Sequence, residues 1–85
     1  MRVSEQLQDF LTAFCGVDED LAETAAIVRD PNSASLREWM LPELDAAIRG
    51  ELITLPDAEY LMSRRFESPA DIARWLGDLR QEWSR

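Results

Sequence analysis

Ser68-Pro69-Ala70-Asp71-Ile72-Ala73-Arg74-Trp75-Leu76-Gly77-Asp78-Leu79-Arg80-Gln81-Glu82-Trp83 carries the clearest periodicity in the chain. Ile72, Trp75, Leu76, Leu79 and Trp83 recur at the spacing of one helical face. The stretch also starts as a helix should: a serine N-cap, an early proline whose missing N–H costs nothing there, and an acid three residues after the cap. Arg74, Asp78 and Glu82 fall on the outer face, with Arg74 and Asp78 at the i,i+4 spacing of an ion pair. Thr54-Leu55-Pro56-Asp57 repeats this opening and predicts a preceding helix carrying Ala58, Leu61 and Met62.

Towards the N-terminus, Val3, Leu7, Phe10, Leu11 and Phe14 mark a helix from Ser4 to a stop at Gly16. A second helix is expected to begin at Asp18-Glu19-Asp20, where carboxylates complement the positive end of the helix dipole, and to stop at Asp30-Pro31-Asn32-Ser33. Its Ala22, Ala25 and Ala26 suggest close packing on a neighbour. Ser35-Leu36-Arg37-Glu38 fits a capping box for a third helix. Pro42 either kinks that helix or starts a new one, and Gly50 suits the residue just past its end. Gly77, inside the last helix, fits either a close helix–helix approach or an exposed position. The alternation of strands is absent. The fold class is therefore all-α, a single compact bundle of four to five short helices spanning 1–85.

At 85 residues, a chain buries only about 60–65 % of its unfolded surface, which leaves little room for an enclosed active site. No apolar run approaches the roughly 20 residues that span a bilayer, and the N-terminus lacks a secretory apolar region. A cytoplasmic protein with no membrane contact is expected. Cys15 is the only cysteine, so it reads as a small buried core residue that forms no internal disulfide.

Histidine is absent, which removes the commonest general base and metal ligand and every triad built on it. Asp18-x-Asp20 looks like the start of a calcium loop, but Glu23 and Arg29 stand where such a loop needs glycine and glutamate. The glycines are isolated, so no phosphate-binding loop is present. No catalytic residue, metal or cofactor is expected. Arg64, Arg65, Arg74, Arg80 and Arg85 prompt a test for helix-turn-helix DNA binding. They are interleaved with seven acids, leaving residues 51–85 at −2. Direct contact with nucleic acid is not expected.

The whole chain is at −8, and residues 1–33 hold −5 of that, with seven acids against two arginines. A charge run is most often just a solvated face. The asymmetry nevertheless marks Asp18, Glu19, Asp20 and Glu23 as candidate contacts for a partner with a basic surface, which such a charge would also steer. Tyr60, flanked by Asp57 and Glu59, has the chemistry of an interface anchor with charged neighbours, although a lone surface tyrosine is common.

Ala47-Ile48-Arg49-Gly50-Glu51-Leu52-Ile53-Thr54-Leu55-Pro56-Asp57, with Phe66-Glu67-Ser68 and Trp75-Leu76 downstream, resembles a pattern of short bacterial proteins. In size, acidity and helical make-up the chain is similar to the colicin and contact-dependent-inhibition immunity proteins. That resemblance implies a non-catalytic inhibitor that docks on a basic nuclease toxin and blocks its substrate groove. It assigns no residue a role. The alternatives are an inhibitor of the anti-CRISPR or DNA-mimic kind, and a regulatory or assembly subunit. The last would be an adaptor, or a homodimer joined through apolar surface near Trp39, Met40 and Trp83.

Overall fold

The computed structural model describes residues 2–85 and shows how each helix is started and stopped. The helices are α1 (Glu5–Phe14), α2 (Leu21–Arg29), α3 (Ala34–Arg49), α4 (Leu55–Met62) and α5 (Pro69–Trp83), with one 3₁₀ turn at Pro31–Ser33. No strand occurs among the described residues. Ser4, Thr54 and Ser68 accept hydrogen bonds from the backbone N–H groups of Leu7, Asp57 and Asp71, each satisfying an otherwise orphan donor. At Thr54 the capping box closes: the Asp57 carboxylate accepts from the Thr54 N–H at 3.2 Å.

α3 and α5 form the main pair, with α1 packed on α4 and α2 on α5. Between them lies one core, in which Leu7, Leu11, Met40, Leu44, Ile72, Leu76 and Trp83 are all but sealed from solvent. Trp83 meets Phe10 edge to face with ring centroids 5.6 Å apart. Met40 and Trp83 are buried and Trp39 is half-buried, so of the three residues expected at a homodimer surface only Trp39 is partly exposed.

Several local expectations change. The second helix starts at Leu21, so Asp18 and Glu19 lie in the preceding turn while Asp20 is the N-cap. Ala22 and Ala26 are exposed, and only Ala25 packs towards the core. α3 begins at Ala34, before the Ser35 capping box, because the Pro31–Ser33 turn feeds directly into it. Ser33 at its cap instead donates its hydroxyl to the Ile27 carbonyl of α2 at 2.7 Å. Pro42 lies inside one continuous α3, on its exposed side, where water can replace the donor that the proline lacks. Arg74 pairs with Asp71 at 3.1 Å, not with Asp78. A side chain at Gly77 would meet nothing within 4 Å, so no neighbouring helix requires that glycine.

The end of α3 moves the special backbone position by one residue. Gly50 keeps φ −92°, and Glu51 takes the left-handed conformation at φ 47°. The Leu52 N–H then donates to the Ala47 carbonyl at 3.0 Å and the Glu51 N–H to that of Ile48 at 3.3 Å, a Schellman ending. At Gly50 a Cβ would lie 2.9 Å from a methyl carbon of Leu52, so that side chain would have to shift to admit it. A β-carbon in the left-handed region costs about 1–2 kcal/mol, partly offset when glycine loosens the unfolded chain. Glu51→Gly should therefore stabilise the protein by about 0.5–1 kcal/mol in urea unfolding. Glu51→Gln, which makes the same charge change but keeps Cβ, should gain little.

Candidate docking surface

α1 ends at Phe14, and the carbonyls of its last turn need donors. The fold supplies them from two other elements. Thr24, buried on α2, donates its hydroxyl to the Phe14 carbonyl at 2.7 Å. Arg64, in the turn between α4 and α5, donates from Nε to the Cys15 carbonyl at 3.0 Å and from Nη2 to the Gly16 carbonyl at 3.1 Å. A planar guanidinium can address two adjacent carbonyls at once, and a cation is favoured at the negative end of a helix. Arg64 is itself held over the Trp75 ring at 4.7 Å, and Phe66 packs against the same ring edge to face at 5.7 Å.

Two backbone features complete the junction. Ser63 adopts φ 55°, which turns the chain sharply out of α4 and sends Arg64 back towards α1. The Val17 N–H donates to the Met62 carbonyl at 3.0 Å, tying the chain after α1 to the last turn of α4.

The result is an open groove of about 230 Å³, with Val17, Asp18 and Glu19 on one side and Tyr60, Met62 and Ser63 on the other. Tyr60 is 81 % exposed and Val17 55 %, the two largest exposures among the large apolar side chains. Asp18 and Glu19 are also exposed. A hydroxylated ring, an aliphatic side chain and two carboxylates thus share one concavity, although 41 residues separate Tyr60 from Glu19 in sequence.

The other four candidates do not line it. The Asp20 carboxylate caps α2, accepting from Ala22 N–H at 2.9 Å and Glu23 N–H at 3.4 Å. Glu23 is exposed on the first turn of α2. Asp57 is engaged in the capping box of α4. Glu59 pairs with Arg65 at 3.6 Å and faces a different hollow. Val17 and Arg64 are the residues that sequence reasoning did not pick out for this surface. Arg64 acts on carbonyls 48 and 49 residues away, which no local pattern reveals.

Each arginine considered for DNA binding has a partner. Beyond Arg64, Arg65 pairs with Glu59, Arg74 with Asp71, Arg80 with Asp45 and Arg85 with Glu82. The Arg80–Asp45 contact is two-pronged, at 2.8 and 3.3 Å, and joins α5 to α3. No three His, Cys, Asp or Glu side chains gather as a cation site among the described residues, and no helix there is long and apolar enough to cross a membrane. No protein-family model, curated protein or solved structure matches the chain.

Cys15 is sealed beneath this junction, and burial pushes its thiol up to about 12, with Arg64 pulling the other way and Glu19 adding to the rise. The folded protein therefore holds the thiol proton to higher pH than the unfolded chain does. That contribution to stability is complete below the thiol's ordinary value of 9.0 and is lost as pH rises towards about 12. Replacing Cys15 with alanine should flatten the fall in stability across that alkaline window. Removing the Arg64 donors has a larger effect at neutral pH. Arg64→Ala should cost about 2 kcal/mol in urea unfolding, and Arg64→Lys should recover less than half of it, since an ammonium offers no planar fork.

Proposed function

We propose that this chain is a binding protein that docks the groove between Val17-Asp18-Glu19 and Tyr60 on a basic surface of another protein, as an inhibitor of the immunity type. The observation that supports it most is the convergence of the most exposed large apolar residue, Tyr60, with two carboxylates that no cap or ion pair engages. A tyrosine loses few rotamers on docking and presents an apolar body with a polar tip, which suits the centre of an interface. Carboxylates beside it pair with lysine or arginine of the partner and accelerate encounter. The −8 charge of the chain extends that attraction over the distance set by salt screening.

The reading also narrows the acidic set. Asp20 is occupied in starting α2, so reversing its charge removes a cap worth about 1 kcal/mol and confounds any binding result. Asp18 and Glu19 carry no such duty. Their carboxylates make no hydrogen bond or ion pair among the described residues. The regulatory homodimer is the weaker reading, because two of the three residues it would use, Met40 and Trp83, are inside the core.

The partner can be trapped with a photo-crosslinking phenylalanine derivative at position 60 in the native host, and its association then followed kinetically. Asp18→Lys with Glu19→Lys should slow association at low salt by about tenfold and flatten its salt dependence. Tyr60→Ala should act mainly by speeding dissociation. An adduct of twice the chain's own mass would favour the homodimer. Association kinetics indifferent to both charge reversals would rule out the groove as the docking site.

A further inference from the structure

A second concave surface lies along the α4–α5 turn, and its chemistry differs from that of the Tyr60 groove. It consists of two adjoining hollows that share Arg65 and Phe66. The one against α5 has about 350 Å³ and the one against α4 about 340 Å³. Each is at the lower end of the roughly 300–1,000 Å³ typical of ligand sites. Phe66 and Trp75 form an apolar wall of the first, and Leu55, Pro56 and Phe66 one of the second.

The charges around the α5 hollow are not balanced. Its two arginines already have carboxylate partners: Arg74 in Asp71, Arg65 in Glu59. That leaves Glu67 and Asp78, both exposed and neither in an ion pair among the described residues. On α5, Asp71, Trp75 and Asp78 follow one another at i, i+4 and i+7, so the indole is bracketed by acids along one helical stripe. The α4 hollow is balanced. Its single acid, Glu59, is taken by Arg65, and the rest of its lining is apolar.

We propose that this double hollow takes an extended peptide segment with a basic side chain and, two residues on, an aliphatic one. The cationic head sits between Glu67 and Asp78 with its stem along Phe66 and Trp75, and the aliphatic side chain rests on Leu55 and Pro56. Residues two apart in an extended strand point to the same side, so arginine and leucine at i and i+2 address both hollows together. The basic stem gains from the aromatic wall as well as from the carboxylates, since an arginine buries its methylenes on apolar surface while its head stays solvated. Arg65 stands where the hollows meet. With its side chain 87 % exposed and its ion pair at 3.6 Å, it is held weakly enough to swing aside. This surface does not depend on the Tyr60 groove.

The test is a backbone and indole NMR titration of the intact chain with the peptide acetyl-Arg-Ala-Leu-amide. Shifts are expected at Leu55, Phe66, Glu67, Trp75 and Asp78, and acetyl-Glu-Ala-Leu-amide should leave them unmoved. A Glu67→Gln, Asp78→Asn variant, whose remaining spectrum reports an intact fold, should bind at least about tenfold more weakly. A second variant, Asp18→Lys, Glu19→Lys, Tyr60→Ala, should titrate like the native chain, which separates this surface from the Tyr60 groove. The proposal is overturned by any of three results: no shifts at millimolar peptide, shifts centred on Asp18 and Tyr60, or a Glu67→Gln, Asp78→Asn variant that titrates unchanged.

Discussion

The guanidinium of Arg64 joins three parts of the molecule that would otherwise meet only at their edges. It caps the end of α1 through the Cys15 and Gly16 carbonyls, and it rests on Trp75 of α5. It is carried on the turn that follows α4. In a domain of this size the whole stability is expected to be about 5–15 kcal/mol, so two charge-assisted hydrogen bonds at one junction are a substantial fraction of it. The turn that presents Val17, Asp18 and Glu19 starts from the carbonyls that Arg64 holds. The position of that turn beside Tyr60 is thus a consequence of the same contact.

Arginine plays the same part elsewhere. Arg37 donates to both the Val28 and Asp30 carbonyls at 2.7 Å, closing the end of α2 as Arg64 closes that of α1. Arg80 reaches from α5 to Asp45 on α3. Short helices have a high proportion of unpaired terminal groups, and here Thr24 and Arg37 satisfy some of them from a neighbouring helix. Every basic residue is arginine, whose fixed fork suits two acceptors better than the point charge of lysine. Three of the nine arginines, Arg37, Arg64 and Arg80, are thereby engaged in holding elements together. The acids of the Val17–Glu19 turn remain exposed, and this separation underlies the proposed attraction for a basic partner.

The starts of α1, α4 and α5 were legible in the sequence because capping is local: Ser4, Thr54 and Ser68 each act on a donor three residues on. The α5 stripe was legible because a buried face repeats at helical spacing, and four of its five residues, Ile72, Leu76, Leu79 and Trp83, are buried. Trp75 is the exception, half-buried beneath Arg64 and Phe66. The end of α3 was harder to read. A glycine is usually where the left-handed residue falls, but hydrogen bonding places the turn at Glu51, one residue beyond Gly50. The candidate surface was legible only in pieces. Exposure of acids and of Tyr60 follows from composition and pattern, but which of them meet depends on the long-range bonds of Arg64 and Val17, and these have no sequence period.

The central claim is that the turn carrying Asp18 and Glu19 is fixed against α4 and does not hang free as a linker. The Val17 amide reports on this directly, because its only partner among the described residues is the Met62 carbonyl across the groove. Hydrogen exchange of that single amide in the native chain is the decisive measurement. A fixed turn predicts that Val17 exchanges slowly, with protection approaching that of the buried amides in α5. Exchange at the rate of an unprotected peptide would contradict it, and with it the surface on which the proposed function rests.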